Sequence, residues 1–308
     1  MNEADTCRTY VLPKLYSAGW LDDQISEQRY FTDGRVLIFK DKCRRKKQKR
    51  ADYLLKYRRD FPLAVVEAKA DYRSPGDGIQ QAKEYAEILG LKFAYATNGK
   101  GIVEFDFITG KETEGLPTFP SPEDLWKRVC GHEKIASKNI AEKLLSPYYY
   151  NPEKEPRYYQ VITINRVVKN ILSGQKRVLL TMATGTGKTE VAFQIAWKLW
   201  NARWNVKGED RHPRILFLSD RSILVDDPKD KTFIPFGDAL LQLESPNTAH
   251  PTVLWCDAPY SLRSTTPQNF IVTKRKKLLA NKNKIFILFN FFYDNEIFFD
   301  KSKNHVSF

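Results

Sequence analysis

The stretch running Val178-Leu179-Leu180-Thr181-Met182-Ala183-Thr184-Gly185-Thr186-Gly187-Lys188-Thr189 limits what this chain can fold into more than any other. Apolar, β-forming residues feed a glycine-spaced turn, and Val191, Ile195 and Leu199 then recur at helical spacing. Strand, turn, Lys-Thr and helix in that order make a phosphate-binding P-loop. Gly185 and Gly187 let backbone N–H groups curl around an anion where a Cβ would intrude, with Thr184 and Thr186 between and beside them. The N-terminus of the following helix adds its positive partial charge. Lys188 supplies a point charge for the β- and γ-phosphates, and the Thr189 hydroxyl suits Mg²⁺. Met182 stands where the general pattern has glycine. The competing reading, an ordinary glycine turn, explains neither the Lys-Thr pair nor the flanking strand and helix patterns.

At 308 residues the chain is long enough for two domains. Its net charge of +13 points toward a polyanionic partner. The four cysteines lie far apart without C-x-x-C spacing, which argues against a zinc site or a disulfide framework. No apolar h-region follows Met1, and no apolar run reaches the ~20 residues of a spanning helix. A cytoplasmic protein with no membrane partner is the expectation.

In chain order, Glu3 to Trp20 has helical spacing, closes at Gly19 and carries Pro13 as a point of kinking or division. Gly34 to Phe39 reads as a strand, followed by the basic run Arg44-Arg45-Lys46-Lys47-Gln48-Lys49-Arg50. Such a run is either a solvated loop or a set of phosphate contacts. Ala51-Asp52-Tyr53-Leu54-Leu55 is a strand with an acid near its start, and Leu63 to Lys69 is a second strand across a polar turn. Glu67 and Lys69, two apart, project from one face of it. A hairpin would set Asp52 beside Glu67, and two close carboxylates repel unless a hard divalent cation relieves them. A metal there can activate water and neutralise phosphodiester charge, with Lys69 orienting the water. The competing reading is an exposed, salt-bridged strand pair. Gly78 to Leu89 then reads as a helix with Gln81 and Tyr85 on one face, and Phe93 to Phe107 as a hairpin turning at Asn98-Gly99.

Asp52, the Val-Val-Glu67-Ala-Lys69 strand and Gln81-Ala-Lys-Glu-Tyr85 together resemble the PD-(D/E)xK nuclease domain, specifically that of the restriction (R) subunit of type I restriction-modification enzymes. Glu3 matches the acid this family often carries on its first helix, while Ala51 replaces the family's proline. The resemblance implies that Glu3, Asp52 and Glu67 hold Mg²⁺, that Lys69 assists catalysis and that Gln81 and Tyr85 support DNA binding and cleavage. Downstream, Arg157-Tyr158-Tyr159-Gln160 resembles the element in which superfamily 2 helicases read adenine with a glutamine. Here the alternative is a polar helix N-terminus. Arg214 to Arg221, an apolar strand ending in polar residues, resembles a helicase motif that touches the DNA backbone.

The expected fold is α/β throughout: a nuclease domain over residues 1–113, a Pro-rich linker over 114–156 and a partial RecA-like P-loop domain over 157–250. A parallel sheet with nucleotide at its carboxyl edge is expected in the last. The resemblance covers roughly Met1 to Leu240. Residues 251–308 read as an aberrant tail in which Asp257, Asp294 and Glu296 fall out of register for the acidic motif a motor needs. Ile285 to Tyr293 reads there as a buried or aggregation-prone strand. The implied cofactors are ATP and Mg²⁺. The implied partners are double-stranded DNA and, in the family, specificity and methyltransferase subunits. The rival reading is an inactive fragment that binds ATP or DNA without catalysis, and a stand-alone ATPase of another P-loop class lacks its Asp-Glu motif.

ATP binding rests on Lys188 and the glycine cradle. A non-hydrolysable ATP analogue at a hundredfold excess over its Kd is therefore expected to stabilise the chain by roughly 2.7 kcal/mol in thermal melting. Lys188→Ala should abolish that protection, and equal protection of wild type and variant would overturn the assignment.

Overall fold

A computed structural model of the chain describes residues 2–31, 36–39, 42–45, 48–133, 135, 137–175, 178–183, 185–205, 208, 210–213, 215–218, 223–243, 253–256 and 285–288. The chain divides into two compact units, Met1–Val178 with Thr189–Pro213, and Leu179–Lys188 with Arg214–Phe308.

The first unit opens with α1 (Glu3–Thr6), a π-helical turn (Cys7–Val11) and α2 (Leu12–Ser17). The Asn2 side chain caps α1 by accepting the Asp5 N–H at 2.8 Å. Pro13 lies in the first turn of α2, where its missing N–H removes little, and the π turn before it takes up the change in ladder. The expected division at Pro13 is thus a change of helical pitch. Gly19, at φ +91°, ends the segment in a conformation open mainly to glycine.

A six-stranded sheet follows, in the order β1 (Ile25–Phe31), β4 (Lys49–Arg58), β5 (Phe61–Ala68), β6 (Phe93–Thr97), β7 (Ile102–Asp106) and β8 (Lys111–Thr113). Between β1 and β4, β2 (Val36–Phe39) and β3 (Lys42–Arg45) pair as a separate antiparallel ribbon. Of the basic run, Arg44 and Arg45 lie in β3 and Lys49 and Arg50 in β4. All neighbours in the large sheet are antiparallel except β5 and β6. That parallel step needs a crossover, which α3 (Ile79–Leu89) supplies. The apolar stripe of α3, Ala82, Tyr85, Ala86 and Leu89, buries against Leu54, Val65 and Ala94, with Phe31 and Leu91 closing the cluster. Gly90 ends α3 at φ +65°.

The opposite face of the sheet, where strand alternation puts Phe93, Tyr95, Glu104 and Asp106, receives α4 (Pro122–His132). Ser121 caps α4 by accepting the Asp124 N–H. Trp126 stacks on Tyr57 at 5.0 Å and meets Phe61 edge-on. Arg128 donates two hydrogen bonds to the Glu104 carboxylate, at 3.0 and 2.7 Å, and one to Asp106 at 2.6 Å. The Tyr95 hydroxyl donates to the same Glu104. The segment expected as a linker thus packs within the first unit rather than trailing from it.

Three further helices complete this part of the chain: α5 (Lys138–Leu144), α6 (Tyr158–Leu172) and α7 (Lys188–Asn201). Ile164, Val168 and Ile171 on α6, and Val191, Ile195 and Leu199 on α7, are buried as their spacing predicts. Two buried polar residues of α7 have no counterpart in that pattern. Gln194 accepts the Tyr149 N–H at 2.9 Å and donates back to the Tyr149 carbonyl at 3.1 Å, as a neighbouring strand would. Lys198, 1% exposed, sets its ammonium 3.9 Å from Asp60 in the β4–β5 turn, 3.3 Å from Asn165 Oδ1 and over the Tyr148 ring. Burial outweighs the Asp60 charge and lowers the Lys198 pKa to about 8.

The second unit contains β9 (Ile215–Leu218), α8 (Ile223–Lys231), β10 (Leu240–Leu243), β11 (Val253–Cys256) and β12 (Ile285–Leu288), with strand order β10-β11-β9-β12. Two expectations are corrected here. The sheet is mixed, because β11 runs antiparallel to both β10 and β9, and only β12 is parallel to β9. The strand expected at Val178 to Met182 does not form, and Leu179 is 89% exposed. A strand exists only by pairing, and none of the described strands pairs with these residues. The acids Asp257, Asp294 and Glu296 and the Lys274–Lys277 run lie outside the described residues.

The Arg128 network yields a stability prediction. Arg128→Ala leaves Glu104 and Asp106 buried without their cation, and should cost about 3 kcal/mol in urea unfolding, the low end for a broken buried pair because Arg128 is partly exposed. A loss below about 1 kcal/mol would show that the network contributes little.

Candidate active site

The candidate site is built where the β4–β5 hairpin meets α3. The β4–β5 register, Tyr53 opposite Val66 and Leu54 opposite Val65, carries on to place Asp52 across from Glu67. The Ala68 N–H donates to Asp52 Oδ2 at 2.8 Å, fixing that carboxylate against the neighbouring strand. Glu67 is 1% exposed. From α3, Gln81 reaches down with both ends of its amide. Its Nε2 donates to Glu67 Oε2 at 2.9 Å and to the Tyr85 hydroxyl at 3.0 Å, while its Oε1 accepts from Lys69 Nζ at 3.1 Å. One glutamine thus joins the second acid, the lysine and the tyrosine.

Gly78, at the start of α3, makes this approach possible. A Cβ there would stand 3.3 Å from Lys69 Cε and 3.4 Å from Glu67 Cβ. Glu3 lies at the rim, its carboxylate 3.7 Å from Lys69 Nζ. Cys7, in the π-helical turn, packs beside the acids, and burial followed by the Asp52 charge pushes its thiol up to about 11. Neither Gly78 nor Cys7 was singled out from sequence. The glycine at a helix start was the only signal available.

Burial, then the charge of Asp52, raises the Glu67 pKa to about 8, against the opposing pull of Lys69. Burial likewise raises Asp52, opposed by the Ala68 N–H. Glu67 Oε1 is a buried oxygen with no hydrogen-bond partner, a costly state for a carboxylate. An orphaned oxygen beside a second carboxylate fits a hard divalent cation, whose charge would satisfy the oxygen and remove the repulsion. The acids come as a pair: among the described residues no group of three or more histidine, cysteine, aspartate or glutamate side chains is disposed to hold a metal ion.

At the other expected site, Gly185 and Gly187 adopt φ +78° and +82°, the left-handed backbone a phosphate loop requires. The Thr186 hydroxyl donates to the Ala183 carbonyl at 2.6 Å, and α7 begins at Lys188, with Thr189 next to it in the first turn. Thr184 lies outside the described residues. Gln160 is buried at the start of α6, its Oε1 accepting the Arg157 N–H at 2.8 Å as part of a capping box. Within the basic run, Lys49 pairs with Glu84 at 3.0 Å and stands over the Tyr85 ring, while Arg50 is exposed. The side chains of Arg44 and Arg45, and residues Lys46 and Lys47, are not among those described.

A strand-borne acid pair with its lysine and glutamine, followed in the chain by a glycine-rich loop and helix, is thus set in a mixed α/β protein. Residues 153–301 match the family described as Type III restriction enzyme, res subunit. The chain is 40% identical over 250 residues to the type I restriction enzyme EcoAI endonuclease subunit of Escherichia coli, covering 79% of this chain and 30% of that protein. It is 32% identical over 177 residues to the EcoKI endonuclease subunit of Escherichia coli strain K12, covering 53% and 14%. Among solved structures it is similar to a fragment described as an HsdR subunit of a type I restriction enzyme from Vibrio vulnificus YJ016. That similarity has a TM-score of 0.67 and 58% identity, over 78% of this chain and 44% of that one. The protein is a homologue of the endonuclease (R) subunit of type I restriction enzymes, spanning less than half the length of the relatives it matches.

The Glu67 environment sets a pH dependence. A carboxyl raised from 4.5 to about 8 by folding contributes stability that is fully present below pH about 4.5 and is lost as pH rises through about 8. In metal-free buffer the melting temperature should therefore fall between pH about 5 and about 8, and Glu67→Gln should flatten that fall. A Gln variant with the same pH profile as wild type would show that Glu67 is not the group responsible.

Proposed function

We propose that the chain carries a Mg²⁺-dependent DNA endonuclease site of the PD-(D/E)xK type and an ATP-binding, helicase-like segment, acting in restriction of foreign DNA. The observation that carries this reading is the buried Asp52–Glu67 pair with an unsatisfied Glu67 oxygen, tied through Gln81 to Lys69. Asp52 and Glu67 would hold the cation, while Glu3, expected from sequence as a further ligand, is placed at the rim as a partner of Lys69. When bound, Mg²⁺ supplies a Lewis acid that neutralises phosphodiester charge and lowers the pKa of water.

The remaining roles fall to the chain's own residues. Lys69, held by Gln81, places an ammonium beside Glu67, where it can orient water and offset charge developing on the phosphate. Gln81, which ties Glu67, Lys69 and Tyr85 together from α3, would with Tyr85 support DNA binding and cleavage. At the phosphate loop, Gly185, Thr186, Gly187, Lys188 and Thr189, with Thr184, would cradle ATP with its Mg²⁺, and Gln160 would read adenine with its side-chain amide. The homology supports double-stranded DNA and the specificity and methyltransferase subunits as partners. No described helix is long and apolar enough to cross a membrane.

The test is plasmid cleavage by the purified chain in Mg²⁺. Asp52→Ala and Glu67→Ala should each reduce cleavage at least ~10³-fold, a loss of the order seen on removing groups that stabilise transition-state charge. Both variants should keep a folded near-UV signature. Equal cleavage by wild type and Asp52→Ala would overturn the assignment.

A further inference from the structure

The edge of the sheet next to the acid pair has an arrangement that the metal site does not use. β1 is the edge strand, and its pairing with β4 steps from Glu27 opposite Tyr53 to Arg29 opposite Ala51. The position skipped is Gln28, which faces Asp52. Gln28 is one of two non-glycine described residues with positive φ, at +47°. Strain of this kind persists only where the surroundings impose it, and an edge irregularity beside a site re-aims the strand. The effect here is that the pairing of the edge strand with β4 is interrupted at Asp52.

One step further along the same pairing, Tyr30 stands opposite Arg50. Tyr30 is 55% exposed and lies directly across the strand pair from the exposed Arg50, whose guanidinium pKa it raises. Arg50 lies two residues before Asp52 on β4, and its charge reaches both Asp52 and Glu67. The neighbouring cations are already engaged: Lys69 with Gln81 and Glu3, and Lys49 with Glu84 and Tyr85. Two residues of strand span about 7 Å, a spacing comparable to that between successive phosphates of one DNA strand.

We propose that Arg50, held by Tyr30, is a positioning residue that binds the phosphate adjacent to the one presented to Asp52 and Glu67, with the DNA strand entering across the β1 edge at Gln28. This rests on the nuclease reading for its placement beside a scissile phosphate. A guanidinium suits the task because its planar fork matches phosphate oxygens and stays charged at any working pH. The tyrosine restricts the side chain before DNA arrives, which reduces the ordering cost of the contact.

The experiment is fluorescence anisotropy of a fluorescein-labelled duplex with the full 308-residue chain in Ca²⁺, across a KCl series. Arg50→Ala should weaken binding about tenfold and reduce the slope of log K against log[KCl] by about 0.9, the value for one lost phosphate contact. Arg50→Lys should restore the slope while recovering only part of the affinity, and Tyr30→Phe should weaken binding without changing the slope. Thermal melting accompanies each variant. If Arg50→Ala melts early, the two conservative variants decide, and their matching wild type in both affinity and slope overturns the proposal. An unchanged Kd and slope in a normally folded Arg50→Ala overturns it directly. Cleavage by Asp52→Ala in Mg²⁺ judges the nuclease reading separately, so the two failures are distinguishable.

Discussion

Two carboxylates facing each other across adjacent strands, with little water to screen them, form the constraint on which the first unit depends. Burial raises the pKa of both, the Asp52 charge raises that of Glu67 further, and the Glu67 oxygen without a partner adds a desolvation cost. Nothing in a hairpin alone would hold such a pair. The surrounding sheet does so by leaving each acid no alternative: the Ala68 N–H fixes Asp52, and Gln81 fixes Glu67. Gln81 is positioned in turn by an α3 whose apolar stripe is buried on the same sheet face. The parallel β5–β6 step requires the crossover that puts α3 there, so topology and site are one requirement.

The opposite face of the sheet deals with charge in another way. Glu104 and Asp106 are also buried, yet Arg128 satisfies both in fork geometry and the Tyr95 hydroxyl adds a further bond. These acids are structural because their charge is balanced within the protein. Glu67 is balanced only in part by Lys69, which also serves Gln81 and Glu3. The contrast between a completed ion network and an incomplete one is the physical basis for assigning chemistry to one face and cohesion to the other. Lys198 is a third case, a single buried cation shared among Asp60, Asn165 and the Tyr148 ring, which joins α7 and α6 to the far end of the β4–β5 hairpin.

What could be read from the residues alone was the chemistry that depends on short spacing. The glycines and Lys-Thr of the phosphate loop, the Glu67–Lys69 pair on one strand face, and Gln81 with Tyr85 one helical turn apart follow from periods of 2 and 3.6. The two glycines have the left-handed backbone their position demands, and Gln81 does bond Tyr85. The homology agrees with the family resemblance that those residues carry. The Asn98-Gly99 turn and the boundaries of α3 were equally local, each set by a few adjacent residues.

Long-range pairing decided the rest. No spacing announces that Arg128 of a presumed linker meets Glu104 and Asp106, that Gln194 pairs with the backbone of Tyr149, or that Gln28 faces Asp52 across an edge strand. The β propensity of Val178 to Met182 was genuine, yet those residues form no strand, because a strand is completed only by a neighbour and no described strand pairs with them. Short-range sequence order thus determined which groups could do chemistry. The tertiary structure decided which buried charges are balanced and which are left for a ligand, because that balance depends on partners brought from distant parts of the chain.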